Sequence, residues 1–366
     1  MVTEGTTILI MAAGTGGHVF PALCIAQKLR EQGVRTEWLG TRQGMENRLL
    51  ENSGIKIHPI SAKGLKGKGV VRLIMSPFML IVALFQSMQI IFRVNPDCVL
   101  GMGGFVSGPG GVAAKLMGRH LVIHEQNAVS GFTNRVLARI SDRVFEAFSG
   151  TFKPSAKVIY TGNPLREEIV ALNQLTRSVS DRDRPLRLLV LGGSQGALAI
   201  NQAIPQLIAK LPQSTRPVVV HQTGEGTFEQ TKLFYQSLAI ELSEQIRLEA
   251  FIEDMPAAYS WADLVICRSG ASTVSELAAV GLPSILVPYP HHSDRQQTHN
   301  ARWLADGDAA YLVEQSDLLA ETLLEILVDL QANREKLQAM SVRAKSLAIC
   351  NASEIIAAEC LGVAHG

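Results

Sequence analysis

The sequence predicts an α/β protein built of two Rossmann-like, doubly wound parallel-sheet domains. Three observations carry this prediction. Short apolar runs alternate with longer helical patterns along all 366 residues, one polar and charge-dense segment interrupts the alternation near the middle, and a glycine-rich turn opens each half.

The first series of strand-like runs is Ile8–Met11, Thr36–Leu39, Lys56–Ile60, Cys98–Leu100, Leu121–His124 and Arg143–Phe145, each followed by a helical pattern. Residues Asn173–Pro185 then turn polar and charged. A second series follows at Arg187–Leu191, Pro217–His221, Ile246–Phe251, Leu264–Cys267, Ser284–Pro288 and Ala310–Val313. The domains are therefore expected at 1–170 and 187–366 around a linker at 171–186, with the C-terminal helix able to pack back on the first domain. Two such domains would turn the carboxyl ends of their strands, where open α/β sheets hold ligands, toward a shared cleft.

Composition excludes several classes. With 47% hydrophobic and 18% charged residues the chain can fill two ordinary cores, and a formal net charge of +1 offers no field-wide attraction to nucleic acid. The five cysteines are scattered without metal-ligand spacing, as expected in a reducing cytoplasm. The start, Met-Val-Thr-Glu-Gly-Thr-Thr, lacks a positive export region, and the apolar stretch Ile8–Ala13 is too short for a signal core.

One segment departs from an ordinary soluble enzyme. Leu73–Phe92 carries no charge and approaches the length of about 20 residues that a membrane span needs, but Ser76-Pro77, Gln86, Ser87 and Gln89 and its place between two strands argue against a span. Ser76 and Pro77 are expected to start a helix. Either it is a buried core helix, or one side faces lipid beside Lys63, Lys66, Lys68 and Arg72. In the second case Ile74, Phe78, Ile81 and Phe85 form the lipid side, while Leu73, Pro77, Leu80 and Leu84 face the sheet.

Chemistry concentrates in loops at strand ends. Ala13-Gly14-Thr15-Gly16-Gly17-His18 joins the first strand to a helix, and Leu191-Gly192-Gly193-Ser194-Gln195-Gly196 repeats the device in the second half. Backbone N–H groups at such a turn suit a phosphate, although tight packing alone also uses glycine there. Val19 replaces the third glycine of a dinucleotide fingerprint, and no Gly-Lys-Ser/Thr follows. His18 at a helix N-terminus can stay neutral and accept a proton, or simply cap the turn. Gly101–Gly111 is a third glycine concentration, and His124-Glu125-Gln126-Asn127 ends another apolar strand. In Arg268–Glu276 the helix start can hold a diphosphate and Glu276 the hydroxyls of a ribose, with Asp294–Asn300 adding amides for sugar hydroxyls. The pairs Asp181/Asp183 and Asp306/Asp308 lie in the linker and around Gly307, where a solvated loop is the simpler reading than a metal site.

Together these motifs resemble the MurG family of lipid II-forming N-acetylglucosaminyltransferases from Ile8 to about Tyr311. The resemblance rests on Gly14–His18, Gly103–Gly111, His124–Asn127, Gly162-Asn163-Pro164-Leu165-Arg166, Gly192–Gly196 and Arg268–Glu276, in that order. It implies the two-domain GT-B architecture and inverting transfer of N-acetylglucosamine from UDP-N-acetylglucosamine to the muramyl C4 hydroxyl of a polyprenyl-pyrophosphate-linked muramyl-pentapeptide. It also implies a peripheral enzyme at the cytoplasmic face of the plasma membrane, which favours the lipid-facing reading of Leu73–Phe92.

By the same resemblance, Ser194, Ala271, Ser272, Thr273 and Glu276 hold the UDP part with Ile252 against the uracil. Thr15, Gly16, Gly17, Asn127, Arg166, Gln296 and Gln297 complete the donor site. His18 is the expected base, with Glu125 as an alternative. Phe105 stands where relatives often carry Tyr, which puts a hydroxyl contact to the acceptor there in question. No metal cofactor is strictly required, Mg²⁺ being able to assist by screening the diphosphate. Competing expectations are a UDP-sugar-dependent diacylglycerol glycosyltransferase, a non-catalytic sugar-nucleotide sensor and a UDP-sugar epimerase.

Overall fold

The computed structural model describes residues 5–61, 70–175, 184–193, 195–292, 294–317 and 319–366, the side chains of residues 70–77 excepted. It forms two compact units, one of the chain up to Arg166 together with Ile349–Gly366, the other of Glu167–Ala348.

In the first unit β1 (Thr7–Met11), β2 (Arg35–Thr41), β3 (Lys56–Ile60), β4 (Cys98–Gly101), β5 (His120–Glu125), β6 (Arg143–Glu146) and β7 (Val158–Tyr160) make a sheet of order β3-β2-β1-β4-β5-β6-β7. All of its pairs are parallel, as right-handed strand–helix–strand crossovers produce. The helices are α1 (Gly16–Glu31), α2 (Met45–Leu50), α3 (Val70–Val94), α4 (Ser107–Leu116) and α5 (Phe132–Ile140). Both faces of the sheet are covered, which is why β1 reads as an unbroken apolar run rather than an alternation. The three-residue edge strand β7 carries too little pattern to be expected from sequence.

The second unit starts with α6 (Glu167–Ala171). Its sheet joins β8 (Arg187–Leu191), β9 (Val218–Gln222), β10 (Ile246–Glu249), β11 (Leu264–Cys267), β12 (Ser284–Leu286) and β13 (Ala310–Leu312) in the order β10-β9-β8-β11-β12-β13, again parallel. Its further helices are α7 (Leu198–Lys210), α8 (Phe228–Ser237), α9 (Met255–Trp261), α10 (Ala271–Val280), α11 (Gln296–Ala305), α12 (Leu319–Ala332) and α13 (Arg334–Leu347).

The unit limits differ from the expected 1–170 and 187–366. Residues before Pro185 already belong to the second unit, because Asn173 Nδ2 donates to Ala279 O at the end of α10 and Lys345 Nζ donates to Asn173 O. The last helix, α14 (Ala352–His365), belongs to the first unit, where Ile356, Ala357 and Cys360 are buried with Val19, Ala22 and Ile25 of α1. Residues 334–365 are long and apolar enough to cross a membrane by composition, but they fold as α13 and α14, broken at residues 348–351 and assigned to separate units.

α3 corrects two further expectations. It begins at Val70, so Ser76 does not cap it: Val70–Met75 contains no helix breaker, and Pro77 is accommodated within the helix. Among its described side chains Ala83, Ser87, Ile90, Ile91 and Val94 are buried, whereas Leu80, expected on the sheet, is 47% exposed. Phe78, Ile81 and Phe85 are 62%, 51% and 62% exposed. The side chain of Ile74 lies outside the described residues, as do those of Lys63, Lys66, Lys68 and Arg72.

Candidate active site

The expected site residues fall into two groups, one in each unit, and both stand where parallel strands end and helices begin. In the first unit β1 ends at Met11, and the turn to α1 is closed by His18 N and Val19 N donating to Thr15 O at 3.0 and 3.3 Å. Thr15 and Gly17 are exposed, Gly16 and His18 half-buried. The His18 ring does not cap the turn. Its Nδ1 lies 3.2 Å from Gln126 Oε1, just beyond β5. Gly103, at φ +97°, packs so closely that a Cβ there would stand 2.7 Å from the same nitrogen. Arg166 is also brought to this loop, its guanidinium 5.8 Å from the ring of Phe20, which in turn packs on Gly16.

Glu125 has a different task from the one expected. It is buried, Oε1 accepts from Asn127 N and Asn127 Nδ2, and Oε2 accepts from Gly131 N and Asn134 Nδ2. Four donors from the 127–134 segment occupy both oxygens, so the geometry makes it the anchor of that loop rather than an alternative base. Asn127, expected at the donor, is thereby oriented by Glu125. His124, directly before it, is fully buried and held neutral, burial pulling its pKa down to about 4.

In the second unit α10 begins at Ala271 from a β-region N-cap, Gly270, and no side chain caps it. The first turn of a helix is where backbone N–H groups can meet an anion. Ser272 Oγ is buried with no hydrogen-bond partner among the described residues, and Thr273 is half-buried beside it. Glu276, one turn further, is half-buried, and its Oε2 accepts from Tyr259 OH at 2.8 Å. Tyr259 belongs to α9 and was not foreseen, since nothing local links it to a carboxylate 17 residues on. Ile252 is half-buried in the segment between β10 and α9.

The next loop is sewn to this helix start. Ser269 Oγ donates to Gln297 O, Asn300 Nδ2 to Ser269 O, and Tyr289 N to Gln297 Oε1. Gln296 is half-buried at the start of α11. Arg268 supports the loop by donating to Val287 O, Pro288 O and Gln315 Oε1 while stacking 5.6 Å from Tyr289.

The second glycine loop is held by Gln222, a residue the sequence did not single out. Its Oε1 accepts from Gly193 N, its Nε2 donates to Gly193 O, and its own carbonyl accepts from Gly192 N. Behind it His221, Asn201, Thr227 and Tyr235 form a buried network. Ser194 lies outside the described residues, as do Asp181 and Asp183; Asp308 pairs with Arg343 at 3.4 Å.

Comparison with known proteins agrees across both units. Residues 8–146 match the glycosyltransferase family 28 N-terminal domain and residues 187–355 its C-terminal domain. The UDP-N-acetylglucosamine–N-acetylmuramyl-(pentapeptide) pyrophosphoryl-undecaprenol N-acetylglucosamine transferase of Azotobacter vinelandii is 49% identical over 362 residues, covering 99% of this chain and 100% of that protein. The crystal structure of Acinetobacter baumannii MurG superposes with a TM-score of 0.81 at 39% identity, covering 98% and 99% of the two chains. A UDP-GlcNAc 2-epimerase from Neisseria meningitidis, with a TM-score of 0.68 at 16% identity over 97% and 99% of the chains, shares the fold alone. The chain therefore belongs to the family of UDP-N-acetylglucosamine–N-acetylmuramyl-(pentapeptide) pyrophosphoryl-undecaprenol N-acetylglucosamine transferases, the MurG family, and is a glycosyltransferase.

Proposed function

We propose that this enzyme transfers N-acetylglucosamine from UDP-N-acetylglucosamine to the C4 hydroxyl of the muramyl sugar of a polyprenyl-pyrophosphate-linked muramyl-pentapeptide, with inversion, giving lipid II. The observation that carries this reading is 49% identity, spread over both units, to a transferase bearing those substrates in its name. The epimerase resemblance, at 16% identity, does not compete with it.

The donor is assigned to the second unit. The start of α10 takes the diphosphate, Glu276 the ribose hydroxyls, Ile252 the uracil, and Gln296 and Gln297 the sugar. Fixed N–H donors stabilise the charge that grows on UDP as the glycosidic bond breaks. The first unit carries the base, His18, with Thr15, Gly16, Gly17, Asn127 and Arg166 around it. The acceptor oxygen bonds to the anomeric carbon as the bond to UDP breaks, and His18 takes the hydroxyl proton. No divalent ion is strictly required.

The exposed Phe78, Ile81 and Phe85 of α3 meet an anionic membrane, an apolar face that suits an enzyme whose acceptor is lipid-linked. Its place is the cytoplasmic leaflet, where the donor is met.

One assay tests the whole reading: radiolabelled UDP-N-acetylglucosamine with and without lipid-linked acceptor. Labelled lipid only in the presence of the muramyl acceptor is expected, and persists in chelator. Product without acceptor would indicate an epimerase, and transfer to diacylglycerol a related lipid glycosyltransferase. F78E/I81E is expected to lose binding to anionic vesicles and to slow turnover of long-chain acceptor while keeping activity on a short soluble one; vesicle binding like wild type would move the membrane face elsewhere.

A further inference from the structure

Gln126 stands one residue beyond β5, buried, with contacts that leave its amide a single orientation. The atom 2.7 Å from Met102 O must be the nitrogen, because a carbonyl oxygen only accepts. The amide oxygen then faces His18 Nδ1 at 3.2 Å. An amide oxygen also only accepts, so in the neutral ring Nδ1 carries the proton and Nε2 keeps its lone pair. Asn163 Nδ2 donates to Gln126 O at 3.1 Å and holds the backbone of the same residue, while Gly103 packs close to the Nδ1 side of the ring.

We propose that Gln126 is a positioning residue that fixes the tautomer of His18, so that Nε2 is the atom offered to the acceptor hydroxyl. The inference rests on His18 being the base. An imidazole without such a partner divides between two tautomers, and the one protonated on Nε2 cannot accept the proton. In the step itself the hydroxyl proton passes to Nε2 as its oxygen bonds the anomeric carbon and the electron pair of the breaking bond leaves with UDP. The imidazolium formed still donates Nδ1–H to Gln126. Titratable groups stand on the segments beside His18. His124 on β5 is buried and neutral, Glu125 is turned to the 127–134 loop, and Arg166 lies over Phe20.

The test is nitrogen NMR on histidine-labelled enzyme, with the His18 signals identified by their loss in His18→Ala, alongside steady-state kinetics of Gln126→Leu and Gln126→Glu. Wild type is expected to show a protonated Nδ1 and a bare Nε2. Gln126→Leu should mix the tautomers and lower kcat about tenfold or more with donor KM within about twofold. Gln126→Glu keeps an acceptor for Nδ1–H and adds a charge that favours imidazolium, so the acid limb of the kcat–pH profile should move up by about one pH unit. A wild-type ring protonated on Nε2 overturns the proposal without need of any variant, and so does Gln126→Leu with unchanged tautomer and unchanged kcat. Mixed tautomers with unchanged kcat would sink the base role of His18, and with it the purpose assigned to Gln126. Loss of UDP-sugar transfer in the wild type would instead count against the function on which both depend.

Discussion

The two glycine loops follow the same plan of strand, turn and helix, yet they differ in which of their glycines are crowded: Gly16 by Phe20 in the first, Gly192 and Gly196 but not Gly193 in the second. A Cβ at Gly14 would meet nothing within 4 Å, and one at Gly17 only the Thr15 hydroxyl at 3.7 Å. In the second loop a Cβ at Gly192 would stand 2.9 Å from Thr223 O, and one at Gly196 would stand 2.5 Å from Thr227 Oγ1 and 2.8 Å from Thr223 O. The loop after β9 returns the crowding, since a Cβ at Gly224 would reach Gly196 N at 2.5 Å. Gln222 grips both the N–H and the carbonyl of Gly193. In the first loop the open positions are Gly14 and Gly17, whereas His18 beside them is half-buried against Gly103.

The largest effect that sharpens this contrast is expected at the open loop. His18→Ala should lower kcat by on the order of 10²–10⁴ at saturating substrates with the fold intact; a loss under about threefold would leave His18 a turn residue. Next comes the pinned loop. Gly196→Ala forces a side chain into φ +77° and into backbone, and should cost about 2–4 kcal/mol in denaturant unfolding, whereas Gly17→Ala, in helical backbone with room, should cost less than about 1 kcal/mol. Equal stability of the two variants would erase the distinction.

Glu276→Ala should raise donor KM about ten- to a hundredfold, the equivalent of roughly 1.5–3 kcal/mol, because hydrogen bonds to a charged acceptor are lost. An unchanged donor KM would remove Glu276 from the donor site.

The smallest effect concerns the buried imidazole behind each loop. His124 and His221 have folded pKa values lowered by burial from 6.5 to about 4 and about 3. Both stay neutral in the fold while the unfolded chain takes up protons, so stability is full above about pH 6.5 and falls as pH drops toward the folded values. Each should contribute a loss of about 2 kcal/mol by pH 5. His221→Gln should remove its share of that slope, and an unaltered slope between pH 7 and 5 would show that His221 is solvated. The two sites differ in their partners: His221 is satisfied on both nitrogens by Tyr235 and Asn201, whereas His124 Nδ1 has no partner among the described residues.

Much of this could be read from the chain before folding was considered. Twelve of the strands follow from short apolar or β-branched runs alternating with helical patterns, and the site loops from glycines placed where a strand must turn into a helix, because those signals are local in sequence. Lys56–Ile60 and Leu264–Cys267 appear with the limits their residues suggested. What depended on partners distant in sequence was not legible. Gln126 and His18 meet across 108 residues, Tyr259 orients Glu276 from another helix, and Glu125 became an anchor through donors whose direction only a folded loop sets. For α3, periodicity offered two apolar sides to a sheet that could take one; the packing of Ala83, Ser87, Ile91 and Val94 made the choice and left Phe78, Ile81 and Phe85 outside. Composition and local turn chemistry therefore determined which elements exist and which loops carry chemistry. Side-chain direction, tautomer and exposed face were decided by tertiary structure, because each is set by which hydrogen-bond and packing partners the fold brings within about 3–4 Å.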